Sequence, residues 1–247
     1  MVSFIIPAYN EESLLPSTIR AIHDAAREVG VEYEVVVADD DSDDDTAKIA
    51  IDHGAVVAPT KNRQIAATRN AGARESCGEM IIWVDADTRV TVGAVRGAVK
   101  AMTLGASGGG ARILFDRPCP MYARVILPPM LVLYRLAGLA SGAFIFCTRE
   151  TFDSTGGFDE TMYAGEEAVM SKAIGRCGRF AWVNDPVYTS SRKLRTYSGG
   201  EIFLECVRLA SMGLKGTKSR ENKDIWYGPR RTDPAAPPPT VDPEIGV

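Results

Sequence analysis

The sequence predicts an α/β domain with a mainly parallel central sheet flanked by helices. Within residues 1–104, short apolar runs rich in β-branched residues alternate four times with stretches of helical period. That alternation implies parallel strands joined by right-handed crossovers. Carboxylates also cluster directly after the second and fourth runs, as Asp39-Asp40-Asp41 and Asp85-Ala86-Asp87. Open α/β sheets bind their ligands just beyond such strand ends.

Taken in order, Val2 to Ile6 is a compact apolar strand ended by Pro7, and Ala8 to Glu12 is a turn. Leu15, Ile19, Ile22, Ala26 and Val29 recur in steps of four and three, one face of a helix that Gly30 stops. Tyr33 to Ala38 is the second strand. Thr46 to His53 is a short helix capped by Asp45 or Ser42, and Ala55 to Ala58 is the third strand. Ile65 to Glu75 is a helix of small residues suited to close packing on a sheet. Met80 to Val84 is the central strand, with Trp83 as a core residue, and Val92 to Leu104 is the helix that follows.

The second half, 105–227, is less regular. Gly108-Gly109-Gly110 leads into a strand at Ala111 to Phe115, and Met121 to Ala140 reads as a helix broken near Pro128. Ala143 to Thr148 and Phe180 to Val183 are strands, Glu166 to Arg176 and Ile202 to Leu214 are helices, and Gly156-Gly157-Phe158-Asp159-Glu160 is a turn. Residues 228–247 form a Pro-rich tail without a packed core.

Composition narrows the function. The chain is 45% hydrophobic and 24% charged, which suits one sizeable core. Its net charge of −4 is unevenly spread. Glu32 to Asp45 holds eight acids and no base, whereas Arg192 to Arg231 holds ten Lys/Arg against four acids. An acidic chain without an aromatic-studded basic stripe argues against nucleic acid. The basic end suits phosphates or an anionic membrane surface. Five scattered cysteines with no CxxC pair fit a reducing, cytoplasmic setting. No signal peptide is expected, since Val2 to Ile6 is too short an apolar run. The apolar stretches Val125 to Tyr134 and Leu136 to Thr148 are each shorter than a spanning helix, so a buried helix is expected, with a peripheral contact at the inner face of a membrane left open.

Several sites are excluded by their missing parts. A dinucleotide site needs glycines in the first turn, and Pro-Ala-Tyr-Asn-Glu has none. No P-loop is present. The Asp39, Asp41, Asp43 spacing resembles an EF-hand, but Asp44 and Ala50 stand where its Gly and Glu belong. His23 and His53 are too few for a zincin and read as helix-surface residues. The remaining pocket has Tyr9, Asn10 and Glu11 after strand one, Asp39 to Asp41 after strand two, and Asp85 and Asp87 after strand four. Those acids could bond a base and ribose, and a diphosphate beside them needs a metal.

These segments, Val2-Ser-Phe-Ile-Ile-Pro-Ala-Tyr-Asn-Glu-Glu12, Val37 to Thr46, Arg69-Asn-Ala-Gly-Ala73, Val84-Asp-Ala-Asp87 and Gly156 to Glu160 with Glu166-Glu167, together resemble glycosyltransferase family 2. The likeness runs over about residues 2 to 195. It implies an inverting enzyme of the Rossmann-like GT-A fold, with 1–104 as the nucleotide-sugar half and 105–227 as the acceptor half. By the same resemblance Pro7, Tyr9 and Glu11 line the nucleotide pocket, Asp40 bonds the base, and Arg69 lies near base or diphosphate. Asp85 faces ribose and metal, Asp87 is the main ligand of Mg²⁺ or Mn²⁺, and Glu167 is the catalytic base. Gly156 and Gly157, with Glu166, lie on the acceptor side. The donor is a nucleotide-sugar, UDP-linked before GDP-linked, and the acceptor is a glycan, a lipid-linked molecule or a small molecule.

The chain departs from the family in three places. Asp41 and Asp45 replace two glycines, the acid pair is Glu-Glu instead of Glu-Asp, and the Gln-x-x-Arg-Trp signature of processive relatives is missing, with Ser190-Ser191-Arg192 in that neighbourhood. The last departure argues for a single transfer. Arg192 reads as a solvated surface charge. A sugar nucleotidyltransferase and a non-catalytic nucleotide-sugar sensor are the rival readings.

Overall fold

The computed structural model describes residues 1–202, together with 204, 217, 218, 227 and 233. The elements are β1 (Val2–Ala8), α1 (Leu15–Val29), β2 (Tyr33–Asp39), α2 (Thr46–Asp52), β3 (Val56–Pro59), α3 (Ile65–Glu75), β4 (Met80–Val84), β5 (Thr88–Arg89) and α4 (Val92–Thr103). They continue with β6 (Ala106–Phe115), α5 (Met121–Leu136), β7 (Phe144–Thr148), α6 (Arg149–Thr155), α7 (Glu166–Cys177), β8 (Arg179–Thr189) and α8 (Arg192–Thr196).

One eight-stranded sheet runs β3-β2-β1-β4-β7-β6-β8-β5. The first four are mutually parallel, and β1 pairs with β2 from Val2↔Tyr33 to Ala8↔Asp39. β7 runs antiparallel to both β4 and β6, while β6 and β8 are parallel. All four carboxyl ends of the parallel half therefore open on one edge, where the acidic clusters emerge.

Helices cover both faces of the sheet. On one, Leu15, Ile19, Ile22 and Ala26 of α1 and Val95 and Ala98 of α4 pack against Phe4, Ile6, Val35 and Ile82. On the other, Ala66 and Ala73 of α3 and Met170 and Ile174 of α7 pack against Ile5, Val36, Trp83 and Ile145. The small residues of α3 let the helix approach closely: a β-carbon on Gly72 would fall 2.5 Å from Ile5 Cγ2.

Several expectations need correction. Pro7 does not end β1; it sits beyond Ile5, the last residue paired to β4, where its missing N–H leaves no ladder bond unmade. The glycines 108–110 belong to β6, wedged between β7 and β8, where a β-carbon on Gly109 would strike the Ala181 carbonyl. Asp45 holds the N-cap position of α2, as expected, but its side chain makes no capping bond. Asp44 Oδ1 instead accepts the Thr46 N–H at 3.0 Å. β8 is longer than expected, and β5, α6 and α8 have no counterpart in the sequence pattern. The helix at Met121 continues through Pro128 and Pro129 and is not buried: Ala123 is its one buried residue. Apart from Ile202, Leu204 and Asp233, the expected helix at Ile202 to Leu214 and the Pro-rich tail fall outside the described residues, as does most of the basic end.

Candidate active site

The cleft opens where β1, β2 and β4 end. Pro7, Ala8, Tyr9 and Glu11 form one wall, Asp40 and Thr68 another, and Asp85, Ala86 and Asp87 lie across from them. Arg63, Gln64, Ile65, Lys193 and Tyr227 complete the lining.

The turn after β1 is stitched to the acidic loop after β2. Asn10 N–H donates to Ser42 Oγ, Glu11 N–H to Thr46 Oγ1, and Asp43 N–H to Asn10 Oδ1. Asn10 and Asp41 adopt positive φ, at 51° and 61°. Asp41 thus takes the left-handed conformation of the glycine it replaces, as Asp tolerates better than most residues. Asp45 has φ −75°, so its position requires no glycine.

Asp40 lines the cleft, but its carboxylate is already occupied. Oδ1 accepts from Thr60 Oγ1, Asn62 N–H at 2.7 Å and Arg63 N–H at 2.9 Å; Oδ2 accepts from Thr68 Oγ1 and Gln64 N–H. With its lone pairs spent on the 60–64 loop and on Thr68 of α3, Asp40 shapes the pocket by holding that loop in place. The loop in turn places the Arg63 guanidinium 3.5 Å from the Tyr9 ring centroid, a stacked cationic plane inside the cleft.

Asp85-Ala86-Asp87 is a tight turn. Thr88 N–H donates to the Asp85 carbonyl and Thr18 Oγ1 of α1 to the Ala86 carbonyl. Asp85 gives Oδ1 to Arg69 Nη2 at 2.9 Å, while Arg69 Nη1 reaches Glu166 Oε1 at 2.7 Å. Arg69 is only 2% exposed. It lies beneath the cleft and ties the end of β4 to the start of α7. Burial alone would lower its pKa, but the facing charges of Asp85, Glu166 and Glu167 outweigh that and raise it.

Asp87 accepts a bond from Thr189 Oγ1 at 3.3 Å, and no arginine or lysine pairs with it among the described residues. Burial, then the charges of Glu11 and Asp85, push its carboxyl up to about 6, with Lys193 and Arg192 pulling the other way. Glu167 lies in the first turn of α7, after Gly165 at φ 75°. Its carboxyl is pushed up to about 7 by burial and then by the charge of Glu166; Asp85 adds to this and Arg69 opposes it.

Among the described residues no three His, Cys, Asp or Glu side chains converge as a self-sufficient metal cage. A divalent cation would take Asp87 and the second oxygen of Asp85, drawing its other ligands from donor phosphates and water. That is how Mg²⁺-type ions are commonly held. A crowded carboxylate with a raised pKa fits such an ion.

Gly156 and Gly157 take φ 74° and 82°. Asn70 of α3 fastens their turn: its Nδ2 donates to the Phe158 carbonyl and its Oδ1 accepts the Phe158 N–H, both at 2.9 Å. Arg192 is not a solvated charge. It is largely buried, and its Nη2 lies 2.8 Å from both carboxylate oxygens of Glu11. Arg63, Gln64, Lys193 and Tyr227 also line the cleft, though none belongs to a motif of the sequence. Gln64 alone had a legible signal, since it precedes the first apolar residue of α3 and caps it by accepting the Ala67 N–H.

Residues 3–114 match the family model described as Glycosyl transferase family 2. That stretch stops short of the 156–167 motifs. An undecaprenyl-phosphate 4-deoxy-4-formamido-L-arabinose transferase of Pseudomonas aeruginosa (strain LESB58) is 39% identical over 94 residues, 35% of this chain. The alignment spans only 28% of that relative's length. The S. aureus TarS 1–349 crystal structure in complex with UDP-GlcNAc superposes over 91% of this chain and 70% of its own, with TM-score 0.64 at 19% identity. Glucosyl-3-phosphoglycerate synthase from Mycobacterium tuberculosis, crystallised with Mn²⁺, UDP and glucosyl-3-phosphoglycerate, superposes over 88% and 80%, with TM-score 0.56 at 18% identity. Residues 3–114 are thus similar to glycosyl transferase family 2, and the whole fold is the GT-A fold shared with these solved structures.

Proposed function

We propose that the domain moves a sugar from a nucleotide-sugar, UDP-linked, to an acceptor hydroxyl with inversion at the sugar carbon, using Mg²⁺ or Mn²⁺. The observation that carries this is the setting of Asp85 and Asp87 at the mouth of three strands, with Arg69 tying Asp85 to Glu166, the neighbour of Glu167.

In this reading Pro7 and Tyr9 flank the nucleotide, and Arg63, stacked on Tyr9, offers a planar cationic surface. Asp40 contributes through the 60–64 loop it anchors. Asp87 and Asp85 would hold the cation, which when bound offsets the charge of the diphosphate as it leaves. Lys193 adds a positive charge to the same cleft. Glu11 is held in place by Arg192 and keeps the local potential negative, which favours the cation. Glu167 takes the proton of the attacking hydroxyl, and a carboxyl near 7 is well matched to that task. Arg69, bridging Asp85 and Glu166, fixes the spacing between donor and base. Glycans, lipid-linked molecules and small molecules all present a suitable hydroxyl to the side formed by Gly156, Gly157 and Glu166.

The UDP-GlcNAc bound to TarS and the UDP and Mn²⁺ bound to the synthase support this choice of donor and ion. The free thiols of Cys77, Cys119, Cys147 and Cys177 suit a cytoplasmic enzyme. Calorimetric titration of UDP in the presence of Mn²⁺ is the test. Asp87→Ala should abolish the Mn²⁺-dependent part of binding. Glu167→Gln should bind UDP like wild type and transfer nothing; full turnover by that variant would remove Glu167 from the mechanism.

A further inference from the structure

α5 is built unlike any other helix among the described residues. Nearly all of its residues are apolar, yet only Ala123 is buried. Val125, Ile126, Leu133 and Leu136 are 67%, 58%, 65% and 77% exposed. Beneath it lies a cavity of about 860 Å³, lined by Ile113, Phe115, Leu127, Leu131 and Trp182. The helix is thus apolar on the side facing the protein and on the side facing away. Exposed patches of this kind mark a surface that something else covers.

Charge identifies the covering surface. From Arg117 to Arg149 the sequence contains no Asp or Glu, although the whole chain is net negative. Arg124 and Arg135 lie on the helix itself, Arg117 just precedes it, and Arg112 joins them at the cavity. An apolar face rimmed by arginines and free of acids complements a bilayer with anionic headgroups. A second copy of this chain would instead bring arginine against arginine.

The geometry specifies the mode of contact. Sixteen residues at about 1.5 Å rise make about 24 Å, short of the roughly 30 Å hydrocarbon core. Among the described residues no helix is long and apolar enough to cross a membrane. Pro128 and Pro129 carry no N–H, so the carbonyls of Arg124 and Val125 lose their helix donors. Carbonyls in that state are costly in hydrocarbon and are satisfied among headgroups and water.

We propose that α5 is an in-plane membrane-docking helix that seats the domain on an anionic lipid bilayer, with Ile126, Leu133 and Leu136 entering the acyl boundary and Arg117 and Arg124 meeting lipid phosphates. Docking is independent of the transferase reading, because it is measured without turnover.

The test is co-sedimentation of the full chain with phosphatidylcholine vesicles, with and without phosphatidylglycerol. Wild type should pellet with the anionic vesicles and be released by salt. The triple variant Ile126→Ser, Leu133→Ser, Leu136→Ser should bind on the order of tenfold or more weaker. Arg124→Glu should lose the preference for anionic lipid. All three sites of the triple variant are exposed, so its melting temperature and UDP affinity should match wild type, and these two readouts separate lost docking from lost folding. Undiminished pelleting of the triple variant overturns the proposal. So does failure of wild type to bind either vesicle, and so does a dimer by light scattering that the triple variant abolishes.

Discussion

The protonation of Glu167 and the ion pairs of Arg69 link single residues to the chemistry of the site. Glu167 has a carboxyl near 7, where burial and Glu166 hold it. A base must be ionised to accept a proton, so transfer should rise with pH and level off above an apparent pKa near 7. A pH–rate profile of kcat with saturating donor and Mn²⁺ checks this; a flat profile between pH 5.5 and 8, values spanning the ~7 midpoint, would dissociate the residue from the rate. Arg69 holds two carboxylates at once in a buried position. Arg69→Met leaves Glu166 buried without its cation, and breaking such a pair costs about 3–5 kcal/mol. Urea denaturation should show the loss. Glu166→Gln, which removes the charge and keeps an acceptor, should cost less. Equal midpoints for Arg69→Met and wild type would mean that Arg69 does not brace β4 against α7.

At the scale of elements, the proposed acceptor side depends on how the 156–160 turn is held. Gly157 sits at φ 82°, and a β-carbon there would meet Asn70 Oδ1 and lie 2.7 Å from the Phe152 ring. Gly157→Ala should therefore destabilise the protein by about 1–3 kcal/mol. It should also displace the start of α7, so that kcat falls more than UDP affinity; a variant that melts and turns over like wild type would refute this. The elements of the first half were legible because each has one period and one partner face. α3 and β4 end where the sequence says, since their apolar positions are bounded by polar or small residues. The second half was harder to read. The glycines of β6 carry no periodicity and are explained only by the strands on either side. α5 reads as a core helix because hydropathy does not tell which surface will cover it. In the site, the acids are legible, but the bonds that anchor Asp40 and the ion pair that buries Arg192 are not. The partners of both come from distant chain positions, through the 60–64 loop and through Glu11.

The whole molecule separates two kinds of surface. The strand ends gather carboxylates into a cleft suited to a cation, while the stretch from Arg117 to Arg149 excludes acids altogether. Crowded carboxylates make the cleft a source of pH-dependent stability, and the sign follows from their raised pKa values. Asp87 moves from 3.8 to about 6 and Glu167 from 4.5 to about 7. Between each pair of values the folded state binds more protons than the unfolded chain, so stability is highest at the acidic side and falls as pH rises through about 7. A bound cation and nucleotide should reverse part of this, because they favour ionised Asp87 and stabilise only the folded state. The melting temperature without ligand should therefore fall as pH is raised from about 5 to about 8, and the increase caused by Mn²⁺ with UDP should be larger at the alkaline end. Asp87→Asn removes the titrating group and should flatten the ligand-free curve below about pH 6 while abolishing the Mn²⁺ increment. Equal Mn²⁺ increments in Asp87→Asn and wild type would place the ion elsewhere and leave the acids of the cleft without their proposed use.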